Sequence, residues 1–312
     1  MNVIVARMLF RTLLVGAVFV GLAGGIAKAG PALLFEPSTG LVLYAEDMDD
    51  QWHPASLTKI MTAYLVFEDL KAGKVEMKTT IPSTALAREQ PPSKLGLPPK
   101  AKLRIDTALK SLIIKSANDV AVMLAQALGP GHDRFIARMN ATAKRLGMTR
   151  TWFVNPNGLP AKAQVTTARD LARLTQAVIN DFPEHAKFWA QSSFRLGRVR
   201  LSSHNSLLRT FEGADGIKTG FICDSGFNVV ATAQRDGRRL AAVVLGEPSG
   251  RDRSVRAARL LDYGFQLYNW KALLSSNRLD TMPAGGGASR APKAASSVRH
   301  TVTSYACGNV RT

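Results

Sequence analysis

The stretch HPASLTKIMTAYLVFEDLKAG, residues 53–73, predicts a mostly buried helix that carries two reactive groups at its start. Pro54 suits a first helical turn, apolar residues follow at helical spacing, and Gly73 marks the end. Ser56 and Lys59 are three positions apart, so a helix places both side chains on one face. A hydroxyl therefore stands beside an amine in apolar surroundings.

On either side of this helix, strands and helices fall into separate blocks. Two apolar runs around Pro37-Ser38-Thr39-Gly40 predict a hairpin before it, and residues 105–115, 119–129, 132–147 and 166–180 have helical spacing after it. From about residue 194, runs such as GIKTGFI, SGFNVVATAQ and RRLAAVVLGE predict strands, and a closing helix follows. This segregation indicates an α+β fold, in which an antiparallel sheet packs between helices.

Both ends of the chain differ in composition from the middle. Residues 1–29 have a basic start, an apolar run and a small-residue ending, which is the pattern of a secretory signal peptide. An uncleaved membrane anchor is the alternative, although the run is short for a spanning helix. Residues 273–312 predict a disordered basic tail that does not anchor the protein to a membrane. We therefore expect one domain over residues 30–272 of a secreted protein.

The formal net charge of +18 and the two cysteines bear on partners and compartment. The basic residues are scattered and no zinc-finger spacing occurs, which argues against nucleic acid. An exported basic protein is attracted instead to anionic envelope polymers or a membrane surface. Cys223 and Cys307 either form a disulfide in an oxidising compartment or remain free thiols. No two histidines have the spacing of metal ligands, so neither a metal nor another cofactor is expected.

Ser56 and Lys59 have the properties of a nucleophile and its base. A neutral lysine can take the proton of a serine hydroxyl once burial or neighbouring cations lower its pKa. The free N–H groups at the start of a helix can stabilise an oxyanion. Ser-x-x-Lys occurs once in the chain, although about one match is expected by chance, so further elements are needed.

Two other polar patterns supply those elements. Of three Ser-x-Asn tripeptides, only Ser116-Ala117-Asn118 interrupts a helical stretch, where a polar turn projects into a cleft. The tripeptides that begin at residues 203 and 275 are typical of simple polar turns or caps. On the strand GIKTGFI, Lys218 supplies charge, Thr219 a hydroxyl for a substrate carboxylate, and Gly220 room for close backbone approach.

In this order, Ser-x-x-Lys, Ser-x-Asn and Lys-Thr-Gly resemble the three motifs of the penicillin-recognising serine acyltransferases. Segments such as HPASLTKIMTAYLVFE, KSANDVAVMLA, FIARMNATAKRLGM, TTARDLARL, DGIKTGF and ARLLDYGF, over about residues 31–270, resemble D-alanyl-D-alanine carboxypeptidases. These are the low-molecular-mass penicillin-binding proteins of peptidase family S11. The resemblance implies a single catalytic domain with the β-lactamase/transpeptidase-like form of the α+β fold.

The resemblance also implies a function. A serine carboxypeptidase of this family removes the terminal D-alanine from peptidoglycan pentapeptide stems through an acyl-enzyme, here on Ser56, and β-lactam antibiotics acylate the same serine. Carried over by position, the catalytic residues are Ser56, Lys59, Ser116 and Asn118, and the substrate-binding residues are Lys218, Thr219, Gly220 and Phe221. The oxyanion hole is expected from the N–H groups of Ser56 and Phe221. Such a protein acts on cell wall and cell shape from the bacterial periplasm or envelope.

Departures from the family pattern leave alternatives open. Many relatives have histidine at the position of Phe221, and many carry a second β-rich domain and a membrane-binding helix, which we infer are absent here. A class A-like β-lactamase is disfavoured because Glu184 and Glu212, the glutamates between the second and third motifs, lack an asparagine four residues later. A D,D-endopeptidase of the same fold stays open, whereas an idle binding module is disfavoured because every motif residue is present.

Overall fold

The computed structural model describes residues 30–129, 131–274, 277–283 and 307. The expected signal peptide at residues 1–29 lies outside the described residues, as does most of the expected tail. Among the residues that are described, no helix combines the length and the apolar character that crossing a bilayer requires.

The observed elements follow the predicted order of hairpin, helices, strands and closing helix. The strands are β1 Ala32–Phe35, β2 Val42–Glu46, β3 Thr80–Pro82, β4 Lys102–Arg104, β5 Ser193–Leu196, β6 Val199–Ser202, β7 Ala214–Ile222, β8 Gly226–Arg235 and β9 Arg238–Glu247. The helices are α1 Thr58–Lys71, α2 Ala85–Arg88, α3 Ile105–Lys110, α4 Asn118–Leu128, α5 His132–Arg145, α6 Ala168–Asp181, α7 Ala186–Ala190, α8 Leu207–Thr210 and α9 Gly250–Leu274. A 3₁₀ turn at Ala55–Leu57 precedes α1, another at Pro183–His185 precedes α7, and a π-helical turn at Ser111–Lys115 follows α3.

Five antiparallel strands form the main sheet in the order β2-β1-β9-β8-β7. The sheet joins distant parts of the chain, because β1 near the start pairs with β9, with Leu34 opposite Ala242. Strand β7 pairs with β8 and lies at the end of the sheet, so its outer edge has no partner strand among the described residues. The predicted α+β fold is confirmed, and the strand with Lys-Thr-Gly lies at an edge.

Helices cover both faces of this sheet. Helix α6 contacts β1 and β9 on one face, and α9 contacts β8 and β9 on the other. Side chains alternate accordingly, because successive residues of a strand point to opposite faces. Phe35 and Val243 belong to the larger core on the α6 side, whereas Leu34 and Val244 pack with Leu261 of α9. Two-sided burial explains why β9 reads as a nearly continuous apolar run.

Helix α1 runs through the larger core and is buried on almost every side. It contacts α4, α5 and α6, and the 3₁₀ turn before it packs against β7. Residues from Thr58 to Phe67 are all buried, including Lys59, which has no exposed surface. The predicted buried helix is therefore confirmed, and its first turn is held against the edge strand of the sheet.

The expectation of a disordered tail from residue 273 is wrong for the part that the structure describes. Helix α9 continues to Leu274, and residues 277–283 pack on the domain, where Leu279 is fully buried. The guanidinium of Arg169, which is paired with the buried Asp49, donates hydrogen bonds to backbone carbonyls of this segment. Burial of Leu279 and the hydrogen bonds from Arg169 thus hold this polar segment on the domain, which extends past residue 272.

A disulfide joins Cys223 to Cys307 across a sequence separation of 84 residues, with their Cα atoms 6.3 Å apart. Cys223 is exposed in the turn between β7 and β8. The sequence is compatible with either a disulfide or two free thiols, and the structure contains the disulfide. It places residue 307 beside the end of β7, whereas residues 284–306 and 308–312 lie outside the described part of the chain.

Candidate active site

The first motif places a lysine amine against a serine hydroxyl. Ser56 lies in the 3₁₀ turn before α1, and Lys59 Nζ is 2.9 Å from Ser56 Oγ. The same nitrogen is 2.8 Å from Asn118 Oδ1 and 2.5 Å from the carbonyl oxygen of Asn157. A neutral amine has two N–H donors and one lone pair. These three contacts suit that form, with the N–H groups on the two carbonyl oxygens and the lone pair facing the Ser56 hydroxyl.

The electrostatic environment favours the neutral amine. Burial lowers the pKa of Lys59 well below its usual value of 10.5, and the charge of Lys218 lowers it further. The carboxylate of Asp119 partly opposes this shift. A buried lysine with a lowered pKa can accept a proton near neutral pH, as a general base must.

The second motif breaks a helix, as the sequence predicts. The π-helical turn ends at Ser116, whose φ of 61° is left-handed, and α4 begins two residues later at Asn118. The sharp turn directs both side chains into the cleft, where Asn118 meets Lys59 and the Ser116 hydroxyl accepts a hydrogen bond from Lys218 Nζ at 3.0 Å. This polar turn therefore links the other two motifs.

Asp119 organises a neighbouring loop that the sequence analysis did not single out. Its buried carboxylate accepts hydrogen bonds from the N–H groups of Leu95 and Gly96, at 3.0 and 2.9 Å. In the same loop, the carbonyl of Ser93 accepts the Asn118 backbone N–H, and the carbonyl of Pro91 accepts the Asn118 side-chain amide. Asp119 thus supports the orientation of Asn118 through the loop of residues 91–96.

The third motif lies on the edge strand β7. Lys218 is buried and donates to Ser116 Oγ and to the carbonyl of Thr219. Burial, and then the charge of Arg253, lowers the pKa of Lys218 to about 7. A Cβ on Gly220 would lie 2.9 Å from the Pro54 carbonyl and 3.1 Å from the Ser56 nitrogen. The backbone that approaches Gly220 is thus the chain's own helix start, which carries Ser56.

These motifs border one cleft of about 450 Å³. Asn157, Gly158 and Leu159, from the turn of residues 155–160, also line this cleft. Gly158 has a φ of +85° and packs so closely that a Cβ there would lie 1.9 Å from the Ala55 carbonyl. The tight fit brings the Asn157 carbonyl to Lys59, so this turn supplies a functional backbone atom that no side-chain motif could reveal.

His204 and Arg253 also line the cleft, and sequence reasoning missed both. The tripeptide at residue 203 is a turn, as predicted, and its buried Asn205 donates to the carbonyl of Gly216. His204 is exposed at the cleft, and its carbonyl accepts a hydrogen bond from Arg253 Nη2 at 3.1 Å. Arg253, in the first turns of α9, is 7% exposed, and burial lowers its pKa to about 10. Its Nε has no hydrogen-bond partner among the described residues.

Comparison with known proteins identifies this arrangement. Residues 24–249 match the model of the peptidase S11 family, described as D-alanyl-D-alanine carboxypeptidase. The chain belongs to the peptidase S11 family. The predicted family and its fold are therefore confirmed.

Curated S11 relatives are similar over most of this chain. D-alanyl-D-alanine carboxypeptidase DacC of Escherichia coli K12 is 36% identical over 243 residues, which are 76% of this chain and 61% of the relative. DacF of Bacillus subtilis 168 is 30% identical over 256 residues, which are 80% of this chain and 66% of the relative. The chain thus spans a little under two thirds of the length of these relatives.

Solved structures of penicillin-binding proteins have the same fold. Penicillin-binding protein 5 of Haemophilus influenzae aligns with a TM-score of 0.74 and 32% identity, over 76% of this chain and 71% of that one. Penicillin-binding protein D2 of Listeria monocytogenes, in its ampicillin-bound form, aligns with a TM-score of 0.70 and 29% identity, over 76% of this chain and 97% of that one.

Proposed function

We propose that this S11 protein is a serine D-alanyl-D-alanine carboxypeptidase, which removes the terminal D-alanine from peptidoglycan stem pentapeptides. The observation that supports this most is the position of Lys59 Nζ, 2.9 Å from Ser56 Oγ and held by two carbonyl oxygens. The substrate class is supported by curated relatives that are named D-alanyl-D-alanine carboxypeptidases.

In the proposed acylation step, Ser56 Oγ attacks the carbonyl carbon of the penultimate D-alanine while Lys59 takes the hydroxyl proton. The backbone N–H groups of Ser56 and Phe221 stabilise the oxyanion. The close approach of β7 to the helix start supports this assignment, because the Ser56 nitrogen lies next to Gly220, the residue that precedes Phe221. The peptide C–N bond then breaks, and the leaving amine takes the proton that Lys59 accepted from Ser56.

Substrate binding uses the edge of β7 and the cations beside it. An extended peptide adds as a strand to the free edge of β7, since backbone hydrogen bonds there are unused by other strands of the described sheet. Thr219 and Arg253 bind the terminal carboxylate, and Lys218 supports them with its charge. Arg253 is buried at the cleft and has no carboxylate partner among the described residues, so its charge favours an anion there.

Hydrolysis of the acyl-enzyme completes the cycle, with water as the nucleophile and Lys59 again as the base. Among the described residues that line the cleft there is no glutamate, so the deacylating group of a class A β-lactamase has no counterpart there. β-Lactams therefore form an acyl-enzyme on Ser56 that persists. Related penicillin-binding protein D2 structures with ampicillin and cefotaxime bound support this reaction. The protein acts after export, in the periplasm or envelope.

The test measures D-alanine release from a pentapeptide that ends in D-Ala-D-Ala, together with covalent labelling by a fluorescent penicillin. Wild type should do both, and Ser56→Ala should do neither. Ser202→Ala, which changes an exposed serine on β6, is the matched control and should behave as wild type. Wild-type release by Ser56→Ala would place the nucleophile elsewhere. Labelling without release, together with cleavage of a cross-linked dimer, would assign a D,D-endopeptidase instead.

A further inference from the structure

Two phenylalanines border the cleft on the side of β7 and β8. Phe221 and Phe227 face each other directly in the strand register. Their ring centroids are 4.2 Å apart with an interplanar angle of 30°. Both rings are partly exposed, and both line the same cleft as Ser56 and Thr219. They form an apolar wall in a site whose other groups are mostly polar.

This wall lies beside the groups that bind the terminal carboxylate in the proposed function. Thr219 and Phe221 are two residues apart on one strand, so their side chains point to the same face of the sheet. The guanidinium carbon of Arg253 is 5.8 Å from the centroid of the Phe227 ring. We name Phe221, Phe227 and the Arg253 guanidinium the aromatic corner.

The geometry of an amino acid links these two observations. In the last residue of a substrate, the side chain and the carboxylate are attached to the same Cα. A carboxylate held by Thr219 and Arg253 therefore brings that side chain within reach of the two rings. A methyl group covers little of this apolar surface, whereas a larger apolar side chain removes more surface from water on both partners.

We propose that the aromatic corner makes the enzyme prefer substrates whose C-terminal D-residue is larger and more apolar than alanine, such as D-leucine. This inference rests on the proposed function and extends it to the leaving group. The chemistry is unchanged: the ester forms on Ser56 Oγ, the peptide C–N bond breaks, and the leaving amine takes the proton. Only the amino acid released differs.

The experiment compares two peptides that are identical except for the last residue, D-Ala-D-Ala and D-Ala-D-Leu. The measured quantity is the ratio of their kcat/KM values, which cancels effects on the shared acyl part. Wild type should prefer the D-Leu peptide by about tenfold, a discrimination typical of added methylenes in an apolar pocket. Phe227→Ala should bring this ratio to about one, whereas Phe227→Tyr, which keeps the ring, should retain it.

Leu159→Ala is the matched control, because Leu159 is an apolar residue that lines the cleft from the turn of residues 155–160. It should change both kcat/KM values together and leave their ratio as in wild type. If Phe227→Ala does not fold, as judged by penicillin labelling, Phe227→Leu replaces it, and its ratio should fall between those of wild type and one.

The outcomes separate this inference from the function on which it rests. Release of D-alanine by wild type, with an equal or lower kcat/KM for the D-Leu peptide, overturns the inference and leaves the carboxypeptidase in place. A ratio that is unchanged in Phe227→Ala also overturns it. Release of neither amino acid overturns the proposed function and the inference with it.

Discussion

Lys59 and Lys218 enter one cleft from helix α1 and strand β7, and each contacts a different serine hydroxyl. Lys59 Nζ is 2.9 Å from Ser56 Oγ, and Lys218 Nζ is 3.0 Å from Ser116 Oγ. Both side chains are buried, so a charge on one disfavours a charge on the other. The pKa of Lys59 is lowered by burial and by the charge of Lys218, which favours the neutral amine at Lys59.

The first prediction concerns the pH dependence of acylation. The rate of penicillin acylation should fall as pH drops through the lowered pKa of Lys59, because the protonated amine cannot take the Ser56 proton. The measurement is the second-order rate constant of acylation at several values between about pH 5 and 10. Lys59→Met should be inactive throughout, and Lys71→Met, at the exposed end of α1, should follow wild type. A flat wild-type profile would contradict a lysine base.

The second prediction concerns folding stability and Lys218. Its pKa is about 7 in the folded protein and near 10.5 when unfolded, so between these values the unfolded chain binds more protons. The free energy by which the buried Lys218 destabilises the folded protein is therefore greatest below pH 7, and it disappears as pH rises to 10.5. Relative to Lys218→Met, the wild-type free energy of unfolding should rise by up to about 1.4 kcal/mol per pH unit in this window.

Urea denaturation at several pH values measures this difference. Lys78→Met, which replaces an exposed lysine, is the control, and its difference from wild type should not vary with pH. A difference between wild type and Lys218→Met that is constant from pH 7 to 10 would show that Lys218 titrates normally in the folded protein.

The third prediction tests Asp119 as a positioning residue. Asp119→Asn weakens the hydrogen bonds that the carboxylate accepts from the N–H groups of Leu95 and Gly96. The acylation rate constant should fall about tenfold, which corresponds to about 1.4 kcal/mol in activation free energy. It also removes the negative charge that raises the pKa of Lys59. The acidic limb of the pH profile should therefore move to lower pH, which a merely structural defect would not cause.

Asp133→Asn is the matched control for this substitution. Asp133 is the second residue of α5, as Asp119 is of α4, but its side chain is fully exposed. The control should leave both the rate and the pH profile unchanged. An acidic limb of Asp119→Asn that coincides with that of wild type would leave Asp119 without an electrostatic role.

The fourth prediction concerns recognition of the terminal carboxylate. Wild type should hydrolyse a peptide that ends in free D-Ala-D-Ala far better than its C-terminal amide. Arg253→Gln should lower kcat/KM for the free acid by about 10- to 100-fold, because a charge-assisted hydrogen bond is lost. The kcat/KM values for the free acid and the amide should therefore become more similar. Arg251→Gln, at an exposed position two residues earlier, should keep the wild-type ratio. Equal wild-type rates on acid and amide would favour an endopeptidase.

The fifth prediction concerns the bridge between Cys223 and Cys307. Digestion of non-reduced secreted protein should yield a peptide pair that joins the two cysteines, detectable by mass spectrometry. Closing a loop over a separation of 84 residues stabilises a fold by up to about 4 kcal/mol, so the Cys307→Ser variant should unfold at a lower urea concentration. Penicillin labelling of that variant should persist, because neither sulfur takes part in acylation. Two alkylatable thiols in freshly secreted protein would contradict the bridge.

Features that depend on short sequence spacing were predicted from the sequence. The hairpin of β1 and β2, helix α1 and the break at Ser116 follow from hydrophobic periodicity and turn chemistry, which act over a few residues. The three motifs are equally local, because each needs only a serine, lysine, asparagine or threonine at a fixed offset. The polar composition of the tail led to a wrong prediction of disorder, because the few apolar residues of the stretch, Leu279 and Met282, pack on the core.

By itself, then, the sequence determined the fold class, the family and the side chains of the three motifs, because these are encoded in local patterns and their order. Only the tertiary structure brought the Asn157 carbonyl to Lys59, Arg253 to the cleft, and Phe227 against Phe221. These groups are carried by a turn, the closing helix and the adjoining strand. They meet because the turn packs against the start of α1, α9 packs across the sheet and β8 pairs with β7. Such tertiary contacts have no signature in local residue spacing.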